Sequence, residues 1–271
     1  MNQPGTTIPT LTDKLLAIKE GHIGWIVFNN PERHNAVSME MWQSVPLAID
    51  AFARDSDVRV VILKGAGEKA FVSGADISQF KEKRSSPEAI ATYNATSDTA
   101  AEAIRNCPKP TIAMIRGYCI GGGAATATNC DIRIAADDAR FGVPAGKLGL
   151  GYRYGGVKRL TDLVGPQFTA EIFFTARQFN AQEALTMGLV NRVVPVAELE
   201  TLTREYADTI GRNAPLTLAS IKRSLIEYAK DDDQRDLALC EKMVNDCFAS
   251  DDYQEGQTAF MEKRKPVFKG K

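Results

Sequence analysis

The spacing of apolar positions changes character several times along the chain. In residues 14–29, KLLAIKEGHIGWIVFN, the apolar residues Ile18, Ile23, Trp25 and Val27 flank Glu20-Gly21-His22, which predicts two strands joined by a turn. NNPERHNAVS then breaks the pattern, and Ser38 is placed to cap a helix running to about Arg54, with Pro46 inside it marking a kink or a late start. VRVVILKGAG, at 58–67, is continuously apolar and ends in glycines, as a strand buried on both faces does. Residues 86–106 read as a helix, and KPTIAMIRGYCI as a second buried strand. After the glycines at 121–123 come a short Ala/Thr helix, the strand DIRIAA and the loop ARFGVPAGKLGLGYRYGG.

This alternation predicts an α/β domain with mainly parallel strands, whose ligands sit beyond the carboxyl ends of the strands. The glycine-rich stretches 65–74 and 121–123 both fall at such ends. Past residue 155 the pattern becomes helical, with one short strand, NRVVP. Leu199, Leu202, Tyr206 and Ile210 recur at three and four, as do Leu237, Cys240, Val244 and Cys247, giving two amphipathic helices. Each stripe must bury against the core or another subunit. The expected organisation is an arm at 1–13, a core at 14–205 and a helical region at 206–271, with no internal repeat.

Composition narrows the function classes. A chain of 271 residues buries a sizeable core without staples. Charged residues make up 25% and nearly cancel to net −1, so no electrostatic case arises for nucleic acid or an anionic membrane. Five cysteines without a C-x-x-C pair suggest neither a disulfide framework nor a zinc site, and a reduced, cytoplasmic compartment is expected. No apolar run approaches the roughly 20 residues that span a bilayer. The first dozen residues lack the basic and apolar regions of a signal.

The candidate chemistry lies in the two glycine stretches. Gly121, Gly122 and Gly123 open a helix, where unpaired N–H groups and partial positive charge meet a backbone that a ligand can approach. An isolated triplet of this kind also suits a tight helix-on-strand packing turn. It fits neither the dinucleotide fingerprint nor the P-loop. KAFVSGADI, at 69–77, likewise follows a buried strand, and two N–H donors on separate loops suit a developing thioester or ester oxyanion.

FNNPERHNAVS, KAFVSGADI, GYCIGGGAATATNCDIRIA, ARFGVPAGKLGL and ALTMGLVNRVV together resemble, in order and spacing, the crotonase superfamily of enoyl-CoA hydratases and isomerases, over about residues 14–269. The resemblance implies a spiral of ββα units, a C-terminal helical trimerisation region, and a homotrimer or dimer of trimers. It implies an acyl-CoA thioester as substrate, with coenzyme A entering as part of that substrate and no separate cofactor or metal. Matched motif to motif, the oxyanion donors fall on the N–H groups of Ala75 and Gly122, with Asp76, Ile77 and Gly121 beside them.

Hydratases of the family resemble one another in two glutamates that hold and deprotonate water. The matching positions here are Ala125 and Ala145, neither of which moves a proton. A position where isomerases keep a carboxylate falls near Arg153. Tyr152 and Arg153 are the polar candidates for the acyl pocket or for a surface contact, with Tyr154 and Lys147 nearby, while Asp76 is expected to organise its loop. His34 is a lesser candidate base, and the basic tail EKRKPVFKGK is either a contact for CoA phosphates or a solvated end. The expected function is thioester-enolate chemistry without the usual hydration pair. The alternatives are decarboxylation or hydrolysis of a carbonyl-bearing acyl-CoA, and a non-catalytic acyl-CoA-binding subunit.

Overall fold

A computed structural model describes residues 5–76 and 86–271. Two sheets organise them. The larger has the order β1-β2-β3-β4-β6-β8-β11 and the smaller β10-β9-β7-β5. In the larger, β1 (Thr6–Ile8), β2 (Leu15–Glu20) and β3 (Ile23–Phe28) are antiparallel neighbours. From β3 onward the neighbours β4 (Val60–Gly65), β6 (Thr111–Ile115), β8 (Ile132–Ala136) and β11 (Arg192–Val194) run parallel. In the smaller sheet β5 (Ala70–Val72), β7 (Tyr118–Ile120) and β9 (Arg140–Gly142) are parallel, and β10 (Phe179–Asn180) closes the edge antiparallel.

Chain order across the sheets gives the spiral. Each turn lays one strand in the larger sheet, the next in the smaller, and returns through a helix: β4, β5 and α2 (Pro87–Asn106), then β6, β7 and α3 (Gly122–Asn129), then β8, β9 and α4 (Tyr154–Thr175). The ββα units expected from the sequence are therefore present. KPTIAMIRGYCI is not one strand but two in different sheets, because Gly117 turns the chain at φ +61°. A Cβ there would stand 2.1 Å from the Lys69 carbonyl oxygen, so only glycine permits the corner.

Burial on both faces explains the unbroken apolar strands. Val61 and Leu63 enter the core between the sheets, whereas Val60 and Ile62 pack on the opposite face beneath α6 (Leu199–Gly211). Helix α1 (Met39–Arg54) starts where expected, with the Ser38 hydroxyl accepting the Met41 N–H at 3.3 Å, and it continues through Pro46. Within the 1–13 segment read as an arm, Thr6–Ile8 pairs with Ala17–Lys19 as an edge strand; three residues are too few to show a period.

The remaining helices are α5 (Ala181–Thr186), α7 (Pro215–Tyr228), α8 (Leu237–Phe248) and α9 (Asp251–Met261). The 205/206 division falls inside α6, whose Leu199 and Ala207 are buried against the sheet. Helix α8 differs: none of its residues is buried, and Leu237 of its stripe is 66% exposed. Among the described residues no helix is long and apolar enough to cross a membrane.

Candidate active site

The loops after β5 and β7 meet where Gly74 approaches Gly122, and a buried asparagine ties the turn before α1 to the β4–β5 connection. Asn35 lies in the tight turn before α1 at φ +55°. Its Nδ2 donates to the Ala66 and Ala70 carbonyls at 2.9 and 2.7 Å, and its Oδ1 accepts the Asn30 N–H at 2.9 Å. With no exposed surface, this amide ties three segments whose backbone would otherwise lack partners.

Ala75 forms an isolated parallel bridge with Val37. The Val37 N–H donates to the Gly74 carbonyl at 2.9 Å, and the Asp76 N–H donates back to the Val37 carbonyl at 3.0 Å. Both bonds belong to the residues flanking Ala75, so the N–H of Ala75 itself turns to the other side of the strand. The Asp76 carboxylate has little exposure and lies 3.7 Å from the Arg33 guanidinium. Ile77 lies outside the described residues.

The three glycines divide the work at the start of α3. Gly121 takes φ 54° and ψ −109° at the N-cap and donates its N–H to the Gly142 carbonyl at 2.8 Å. Gly123 packs on β5, where a Cβ would stand 2.0 Å from the Val72 carbonyl oxygen. Gly122 is different. A Cβ there would first meet Trp42 at 3.6 Å and Gly74 at 3.7 Å, so this residue borders the Gly74-Ala75 loop directly. No side chain caps α3, so its first-turn N–H groups have no side-chain acceptor.

Trp42 was not singled out from the sequence. It is buried on α1, and its indole N–H donates to the Tyr93 hydroxyl of α2 at 3.1 Å. Only the fold brings these residues, 51 apart in sequence, together beside Gly122.

Residues 19–271 match the family profile described as enoyl-CoA hydratase/isomerase. The chain belongs to the enoyl-CoA hydratase/isomerase family. It is similar to the short-chain-enoyl-CoA hydratase of Clostridium acetobutylicum, 37% identical over 247 residues that cover 91% of this chain and 94% of the relative. It is also similar to the crotonyl-CoA hydratase of Syntrophomonas wolfei, 35% identical over 256 residues covering 94% and 98%. A crystal structure of an enoyl-CoA hydratase/carnithine racemase from Magnetospirillum magneticum superposes with a TM-score of 0.90 at 34% identity, covering 96% of this chain and 97% of that one.

Within this crotonase fold, Ala125 and Ala145 occupy the two places of interest. Ala125 is half-buried in the second turn of α3, and its carbonyl accepts the Thr128 hydroxyl and Asn129 amide at 2.9 and 2.8 Å. Ala145 is buried with its methyl in the main core, in the turn Pro144–Leu148. Neither supplies a proton-transfer group.

The polar candidates separate. Tyr152 packs edge-on against Phe173, ring centroids 4.7 Å apart, and burial pushes its phenol above the usual range while Arg153 pulls it back. It is a neutral hydroxyl at working pH. The Arg153 guanidinium makes a bidentate pair with Asp98 of α2, bridging the loop before α4 to the helix that carries Tyr93. Tyr154 is exposed, and so is Lys147. His34 is exposed at φ 51° with its ring 5.8 Å from that of Tyr118.

The basic tail docks on its own chain. The N–H groups of Lys269 and Gly270 donate to the buried Asp252 carboxylate at 2.6 and 2.8 Å, and Arg59 donates to the Phe268 carbonyl at 3.0 Å. Among the described residues no three His, Cys, Asp or Glu side chains gather as a metal site.

Proposed function

We propose that this family member binds an acyl-CoA thioester, places its carbonyl oxygen between the N–H groups of Ala75 and Gly122, and stabilises the enolate without carboxylate-driven water addition. The observation that carries the reading is the junction of Gly74-Ala75 with the bare first turn at Gly122, 3.7 Å apart when measured from a Cβ on Gly122. Two fixed donors at such a site supply several kcal/mol to a reaction that builds charge on that oxygen. The hydratase relatives support the thioester class. Alanine at 125 and 145 argues against their reaction.

The two alanines leave room for a second chemistry, decarboxylation of an acyl-CoA with a carboxylate on Cα. Breaking the Cα–CO₂ bond leaves its electron pair on the thioester as enolate, so no base is needed. Water then returns a proton to Cα. Exposed apolar residues on the C-terminal helices, Leu237, Phe248, Phe260 and Met261 among them, support assembly as a homotrimer or dimer of trimers.

Parallel assays test the reading. Enoyl absorbance, CO₂ release and free-thiol release are followed with crotonyl-CoA and methylmalonyl-CoA. The expected pattern is thioester binding with negligible loss of enoyl absorbance, and CO₂ release marks the second chemistry. Binding without any turnover identifies a non-catalytic subunit, and absence of binding overturns the proposal.

A further inference from the structure

Two arginines donate to backbone carbonyls at the far end of α3. The Arg133 guanidinium is 4% exposed, donating from Nη1 to the Cys130 carbonyl and from Nε to the Leu189 carbonyl, both at 2.7 Å. Arg159, on α4, donates from Nε to the Thr128 carbonyl at 2.8 Å. Among the described residues neither guanidinium has a carboxylate within ion-pair distance. Asp131, two residues before Arg133, is already matched by the Lys222 ammonium at 2.7 Å, the Thr111 N–H at 2.7 Å and the Thr111 hydroxyl at 2.9 Å, and Asp162, three residues after Arg159, by the Lys158 ammonium at 3.1 Å. Burying Arg133, with Arg159 half-buried beside the same helix end, is costly unless something negative answers the charge. Here the acceptors are the Thr128 and Cys130 carbonyls at the negative end of the α3 dipole, together with the Leu189 carbonyl.

We infer that Arg133 and Arg159 are positioning residues for the oxyanion site: by binding the last carbonyls of α3 they fix its axis and strengthen the positive field its first turn presents. This rests on the reading of Gly122 and Ala75 as oxyanion donors. The helix has eight residues and is therefore about 12 Å long. A unit charge at that distance, with an effective dielectric near 20, changes the stability of an anion at the first turn by about tenfold. The Asp131–Lys222 pair nearly cancels itself, so the arginines dominate.

Acetoacetyl-CoA is the probe, because its enolate places negative charge on the thioester and absorbs in the near ultraviolet. The full-length protein should make bound acetoacetyl-CoA ionise more readily than the free compound. Arg159→Met and Arg159→Gln, checked for native circular dichroism, should make the bound probe about tenfold harder to ionise, and Arg159→Lys should restore most of the effect. A purely structural role would lower probe affinity or stability without moving that ionisation. Arg133→Lys, which keeps the buried charge, should ionise the probe as the parent does and serves where a neutral variant does not fold. Unchanged ionisation in the folded neutral variants, or tenfold loss in Arg133→Lys, overturns the inference. No enhancement in the parent protein instead removes the oxyanion reading on which it rests.

Discussion

Trp42 and Gly122 face each other across the start of α3, at the 3.6 Å that a Cβ on Gly122 would keep from the indole Cζ2. That is ordinary contact, whereas a Cβ on the adjacent Gly123 would stand 2.0 Å from the Val72 carbonyl oxygen. Gly122→Ala should therefore fold with stability within about 1 kcal/mol of the parent. Gly123→Ala should lose about 1–3 kcal/mol and weaken thioester binding through displacement of α3. Urea unfolding and calorimetric titration of butyryl-CoA separate the two. Equal stability losses would show that the glycines share one packing role.

Restoring the carboxylate pair should restore hydration. The double variant Ala125→Glu with Ala145→Glu is expected to hydrate crotonyl-CoA at least about a hundredfold faster than the parent, with each single variant far below it, because proton donor and acceptor act as a pair. Ala145 is buried, so the double variant should also be less stable. No gain in hydration despite intact thioester binding would show that more than the two carboxylates is absent.

Lys222 fastens the C-terminal helices to the core. Its ammonium, on α7, donates to the Lys109 carbonyl at 2.9 Å and to Asp131 at 2.7 Å, with the lysine side chain 6% and the aspartate 31% exposed. Lys222→Met strands a partly solvated carboxylate and should cost about 2 to 3 kcal/mol, below the 3–5 kcal/mol typical of a fully buried pair. Limited proteolysis should then cut first between α6 and α8. An unchanged unfolding midpoint would refute this anchoring role.

The tail brings an acid dependence. Hydrogen bonds from the Arg264 guanidinium and the Val267 N–H hold the Glu255 carboxyl down to about 2, against an ordinary 4.5. A depressed folded-state value means the stabilisation is complete above about pH 4.5 and is lost as pH falls toward 2. Glu255→Gln should flatten stability across that window and expose residues 262–271 to carboxypeptidase at neutral pH. A pH–stability curve matching the parent's would contradict it.

The sequence was most legible where a backbone rule left few choices. Unbroken apolar runs marked strands buried on both faces, and Ser38 marked the start of α1. The corner at Gly117 was hidden inside KPTIAMIRGYCI, because the strands on either side are both apolar and only the carbonyl of Lys69, far off in the fold, demands glycine there. Gly121, Gly122 and Gly123 looked alike in the chain, yet one turns it, one borders Ala75 and one packs on Val72. Partners joined by long-range polar contacts left no periodic trace: Asn35 with Ala66 and Ala70, Trp42 with Tyr93, Arg153 with Asp98. The stripe of α8 was readable as amphipathic, but not that Leu237 within it stays exposed in the chain.

Mixing the protein with crotonyl-CoA and following enoyl absorbance while titrating binding tests the central claim most directly. If Ala75 and Gly122 hold the thioester and Ala125 and Ala145 leave water unactivated, a saturable complex forms and its absorbance persists. Rapid, enzyme-dependent disappearance of the enoyl chromophore to the hydration equilibrium would contradict it.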